Sequence, residues 1–131
     1  MAYTESQPKV SLTAGTTFAK TDLYKFVEVN GSGQAVIGAS TSAANVDGTL
    51  LSVTATTAGA GSEIVTIGLL SGIGKVNMAA STLAAGGAVS ASSAGLGIAP
   101  TTDALQLGIS VSGSSGAAGR LHSVLFSPKW N

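Results

Sequence analysis

The sequence predicts an all-β protein: a compact antiparallel β-barrel or β-sandwich of short strands with Gly-, Ala- and Ser-rich turns. Three observations carry this. Val, Ile and Leu recur at short spacing through the whole chain, in runs broken by many of its 18 glycines. Several runs alternate with period two, most clearly "LQLGISV" from Leu105 to Val111. No apolar i, i+3, i+4 stripe of useful length appears, and Gly86 and Gly87 would each cost an Ala-rich helix over 82–98 about 1 kcal/mol.

Residues 1–9 read as a polar N-terminal arm and residues 10–131 as a single β-rich domain. "KVSLTAG" gives a first strand, with Val10 and Leu12 on one face and Ser11 and Thr13 on the other. "DLYKFVEVNGSGQAVIG" reads as a hairpin. Leu23, Lys25, Val27 and Val29 share one face, and Tyr24, Phe26 and Glu28 the other. Asn30-Gly31-Ser32-Gly33 accepts positive φ and reverses the chain. The aromatics clustered on this hairpin read as core.

In "DGTLLSVTATTAGAGSEIVTIGLL", Leu51, Val53 and Ala55 alternate with Ser52 and Thr54. After a Gly-rich loop, Val65, Ile67 and Leu69 alternate with Ile64, Thr66 and Gly68. "DALQLGISVSGSSGAAGRLHSVLFS" is a comparable unit, with Leu105, Leu107, Ile109 and Val111 opposite Gln106, Gly108 and Ser110. In both units a strand follows an Asp, small residues reverse the chain, and a charge opens the return strand, Glu63 or Arg120. This reads as an internal structural repeat whose two copies are too few for a solenoid. Between the units, "GKVNMAA" gives a strand. The charge-free segment 82–98 gives short strands turning at Ala84-Ala85-Gly86-Gly87 and again at "SSAGLG", with small side chains that let backbones approach closely. About eight to ten strands result. A parallel β-helix fibre is the alternative fold, and it would need a regular short period that the chain lacks.

Charge and chemistry exclude more than they select. Lys+Arg and Asp+Glu are 6 each, so the net charge is zero, and the basic residues are scattered; nucleic-acid binding is not expected. The charged share is 9%, against about 25% in typical domains. Cysteine is absent, so no disulfide or thiolate is available. No apolar run reaches the length of a membrane span, and the N-terminus has no apolar signal core; no membrane association is expected. His122, the single histidine, shares a strand side with Val124 and Phe126 and reads as a packed or edge residue. One His without Cys builds no ordinary zinc site. The six carboxylates, Glu5, Asp22, Glu28, Asp47, Glu63 and Asp103, are dispersed. "GIGKVN" lacks the glycine and the hydroxyl of a phosphate loop, and no nucleophile elbow or calcium loop is present. The expectation is a protein without enzymatic activity, cofactor or metal.

The succession "VSLTAG", "LYKFVEVNGSGQAVIG", "TLLSVTATTAGAGSEIVTIGL", "GKVNM", "LAAGGAV", "DALQLGISV" and "GRLHSVLFS" resembles the small phage capsid decoration (auxiliary head) proteins. The likeness is one of order and texture over nearly the whole chain. It departs at Gly86-Gly87, where the family carries an acidic Gly-Asp, and at the ending "SPKWN". The resemblance implies a bacteriophage structural protein, made in the host cytoplasm. It would bind the exterior of an assembled capsid as a homotrimer, with the major capsid protein as partner, and stabilise the shell. From the chain itself, Tyr3 and Pro8 in the arm and Trp130 at the C-terminal tip are the candidate contacts. The alternative function is a phage fibre or tail module that binds host-surface carbohydrate, which the aromatic share of 5% weakens. A small hydrolase would require close carboxylates, or one beside His122.

Overall fold

The computed structural model describes residues 7–38, 46–53, 57–58, 63–79, 83–100, 105–112 and 120–130, with backbone alone at 57–58 and 129–130. Tyr3, Thr54, Ala55, Asp103 and the small-residue loops at 59–62 and 113–119 lie outside these residues. The strands are β1 (Lys9–Thr13), β2 (Phe18–Ala19), β3 (Phe26–Val29), β4 (Ala35–Ile37), β5 (Gly48–Val53), β6 (Thr57–Ala58), β7 (Ile64–Leu69), β8 (Ile73–Asn77), β9 (Ala88–Ala91), β10 (Gly97–Ile98), β11 (Leu105–Ser110) and β12 (Leu121–Trp130). A single 3-10 turn, Lys20–Asp22, is the one helical element among the described residues. The all-β expectation is met. Gln7 and Pro8, expected in the arm, belong to the folded body: Leu69 N donates to Pro8 O at 2.8 Å, which starts the β1–β7 ladder.

The strands form two five-stranded antiparallel sheets and a small β2–β6 pair. Their orders are β1-β7-β5-β3-β4 and, read from the other edge, β8-β12-β11-β9-β10. Taken in chain order these are one topology, used twice. A lone parallel bridge joins the edge strands of each sheet at corresponding places, Ala14 to Ala35 and Met78 to Gly97, short of closing a barrel.

The correspondence extends to single hydrogen bonds. In the β3–β4 hairpin, Asn30 N donates to Gln34 O and Gly33 N to Asn30 O, both at 2.9 Å; in the β9–β10 hairpin, Ser92 N donates to Leu96 O at 2.8 Å and Gly95 N to Ser92 O at 2.9 Å. Asn30 Oδ1 accepts from the amides of Ser32 and Gln34, and Ser92 Oγ from those of Ala94 and Leu96. Gly33 and Gly95 take φ of 75° and 74°. Glu63 and Arg120 also correspond: their carbonyls accept from Ala14 N and Met78 N. The repeat read in two units of sequence therefore extends over both whole sheets, about 8–69 and 72–126.

Two faces differ from the alternation expected in sequence. The ladder register shifts between Leu50 and Ser52 in β5, and between Gln106 and Gly108 in β11. A register shift of one residue reverses which face each following side chain takes. Leu50 is therefore buried and Val53 packs beside its cluster, while Leu51 lies on the other side. In β11, Leu107 and Ser110 point inward and Ile109 faces out, where Leu107 and Ile109 were expected to share one face.

The cores stack in layers. The inner face of the first sheet (Val27, Ala35, Leu50, Val65, Ile67) closes on Ala14 and on Phe18 of β2. Its opposite face contributes Phe26 to the second core, among Val76, Met78, Val89, Leu107, Val124 and Phe126 of the second sheet. Two backbone bonds tie the sheets: Phe26 N donates to Gly95 O (2.7 Å) and Asn77 N to Tyr24 O (2.9 Å). The Gln7 side chain fills the seam. Its amide donates to Leu69 O at 3.0 Å and to Thr49 Oγ1 at 3.3 Å. A Cβ at Gly68 or Gly74 would collide with it, so both positions suit glycine.

Candidate interaction surfaces

The His122 imidazole is engaged in structure. Ser110 Oγ donates to Ser112 O at 2.6 Å and lies 3.0 Å from His122 Nδ1. A hydroxyl has one proton, so here Nδ1 donates and Ser110 accepts. That polarity is opposite to a histidine base drawing a proton from a serine nucleophile. Both residues are buried. Burial lowers the pKa of His122, and the charge of Arg120 adds to this, against a smaller opposing effect of the hydrogen bond to the Ser112 backbone. His122 is thus held neutral and buried on the inner strand of the sheet, the packed rather than the edge of the two positions expected.

Two of the described carboxylates are likewise placed, Asp22 and Asp47. Burial pushes the Asp22 carboxyl up, but the Ala19 amide at 2.8 Å and the Lys25 ammonium at 2.7 Å outweigh it and hold the group below the usual range. Asp47 Oδ2 accepts from Val29 N at 2.7 Å. Among the described residues no three His, Asp or Glu side chains are grouped to hold a metal, and no helix is long and apolar enough to cross a membrane.

A small cleft of about 170 Å³ lies between Gln7, Lys9, Tyr24 and Leu51. Tyr24 has φ of 65°, in the left-handed region, which costs a bulky residue about 1–2 kcal/mol. Its backbone repays this by joining the layers: Tyr24 N donates to Leu50 O at 2.7 Å while its carbonyl accepts from Asn77. The corresponding residue in the second sheet is Gly86, whose N donates to Ser110 O at 2.8 Å and whose φ is 81°. Sequence reading placed Tyr24 inside a strand; β3 instead begins at Phe26.

The largest apolar exposure on the second sheet lies on its outer face. Ladder partners place Ala88, Ile109, Leu125 and Ile73 in one row across β9, β11, β12 and β8. Ile109 is 37% exposed and Leu125 46%. Leu121, four residues before Leu125, is 46% exposed on the same side of β12. A signal for this face exists in the sequence: "RLHSVLF" is apolar at positions of both parities, the mark of a strand with something to cover on each side.

The contacts expected from sequence are Tyr3, Pro8 and Trp130. Tyr3 is outside the described residues. Pro8 is exposed and begins the edge of the first sheet. Trp130 ends β12 in the second sheet, its backbone opposite Leu105.

No protein-family model and no curated protein matches this chain. A solved structure does: the N base of the head fiber gp8.5 of bacteriophage phi29, with a TM-score of 0.57 and 13% sequence identity, covering 93% of this chain and 95% of that one. At this identity the likeness is one of fold, and it runs over both sheets rather than over one copy of the repeat.

Proposed function

We propose that this chain is a structural protein of a bacteriophage head, which binds the outer surface of the assembled capsid and stabilises it without catalysing a reaction. The observation that carries this is the fold shared over nearly the whole chain with the base of a phage head fiber. The resemblance in strand order and texture to capsid decoration proteins points the same way. A ligand that binds only the assembled, expanded lattice stabilises that lattice by mass action. In this reading the chain acts as a homotrimer, its partner is the major capsid protein, and it resides on the virion exterior. With net charge zero, attachment changes little between low and moderate salt.

Mixing purified chain with undecorated shells tests the reading. Saturable, stoichiometric binding that raises the temperature of shell disruption is expected. Absence of binding to both immature and expanded shells would overturn it.

A fibre base that recognises host carbohydrate is the second reading. The fiber neighbour and the Tyr24 cleft, with its amide and ammonium neighbours, favour it. A clear hit on a glycan array, lost in Tyr24→Ala, would select it over decoration.

A further inference from the structure

We propose that copies of this chain associate through the outer face of the second sheet, along the row Ala88–Ile109–Leu125–Ile73. The proposal rests on the structural-protein reading for its homo-oligomer and assigns the contact face.

The repeat supplies the reason. The row has an exact counterpart by ladder position in the first sheet: Phe26, Thr49, Gly68 and Lys9. There Phe26 and Thr49 have no exposure and Gly68 is buried. Phe26 of that row packs into the core on the inner face of a second sheet of the same topology, and the Gln7 side chain fills the seam over Thr49 and Gly68. The fold thus already contains one interface in which an apolar side chain of this row is covered by another unit of its own kind. The second sheet presents the same row, richer in large apolar side chains, and nothing among the described residues buries Ile109 or Leu125, which stay 37% and 46% exposed.

At the other end of the stack, Phe18 of β2 is fully buried on the inner face of the first sheet. A row that meets its own equivalent about a symmetry axis gives a closed assembly rather than a filament. The four residues of the row carry no charge and the chain has zero net charge, so copies approach without repulsion.

Sedimentation of the full chain tests this. Wild type is expected as a discrete oligomer. The double substitution Ile109→Thr with Leu125→Thr keeps strand-forming residues and removes the apolar row; it should raise the dissociation constant at least about 30-fold. Ile64→Thr alters an equally exposed side chain, the first-sheet counterpart of Leu121, and should leave assembly unchanged. If the double variant does not fold, Leu125→Cys replaces it. Wild type has no cysteine, so mild oxidation should cross-link copies through Leu125→Cys and not through Ile64→Cys. A wild-type chain that sediments singly at about 100 times the concentration saturating a shell, or a folded double variant that stays assembled, would overturn the proposal; so would a Leu125→Cys chain that does not cross-link. Loss of shell binding in the double variant of a monomeric wild type would assign the face to the shell protein instead. An assembled chain that ignores shells leaves this proposal standing and removes the decoration reading.

Discussion

The two sheets share strand order, hairpin hydrogen bonds and edge bridges, yet they spend their side chains differently. The first holds Leu50 and Val65 where the second holds Ser110 and His122, all four buried. The first takes a left-handed turn with Tyr24, the second with Gly86. Below that turn, Asp22 grips the Ala19 amide and Lys25, whereas its counterpart Ala84 offers only a carbonyl to Gly87. Most of all, the row Phe26–Thr49–Gly68 is largely consumed inside the molecule, while Ala88–Ile109–Leu125–Ile73 remains at the surface. One backbone plan therefore tolerates opposite environments on its outer face. The backbone ladder fixes the plan, and the side chains on each face decide what can lie against it.

The sharpest way to separate the two rows is to truncate each. Phe26→Ala removes a fully buried ring from the second core and should cost about 3–5 kcal/mol in urea unfolding. Leu125→Ala, in the counterpart row, should stay within about 0.5 kcal/mol when measured at low protein concentration. Equal losses would mean that the rows are not differently covered.

The two left-handed turns come next. Gly86 has open space beside it, so Gly86→Ala should lose about 1 kcal/mol through backbone conformation alone. Tyr24→Gly relieves the strain but frees the unfolded chain, and the net change should be under about 1 kcal/mol. A large loss there would show that the Tyr24 ring carries packing beyond the cleft.

The smallest effect is in the buried polar pair. Folded His122 titrates below the ordinary value, so as pH falls through about 6.5 the unfolded chain takes up the proton first. Stability should drop from pH 7 towards pH 5 and level off below the folded pKa. His122→Val, which installs the residue of the first sheet, should abolish that slope. A slope that persists in the variant would place its origin elsewhere.

Much of this architecture is legible in the sequence, and the missing part has a common cause. Asn30-Gly31-Ser32-Gly33 announces its hairpin because positive φ is a local requirement, and Glu63 and Arg120 mark matching strand starts. The faces of β5 and β11 were misread at Leu51 and Ile109. Their register shifts are set by the partners β7 and β12, and no local period records them. Phe26 reads as core from composition, but only the stacking of one sheet on the next reveals which core it enters. The exposed row is a consequence of the same shift in β11, since unbroken alternation would have put Ile109 and Leu107 on one side. Residue type and chain position, which point to Pro8 and Trp130, do not report where an uncovered sheet face lies.

The stacking of the sheets is tested most directly by nuclear Overhauser contacts from the Phe26 ring. They should reach methyl groups of the second sheet, among Val76, Val89, Leu107 and Val124. A Phe26 ring whose contacts stay within the first sheet would contradict the shared plan, and with it the reason for expecting a partner on the row that contains Leu125.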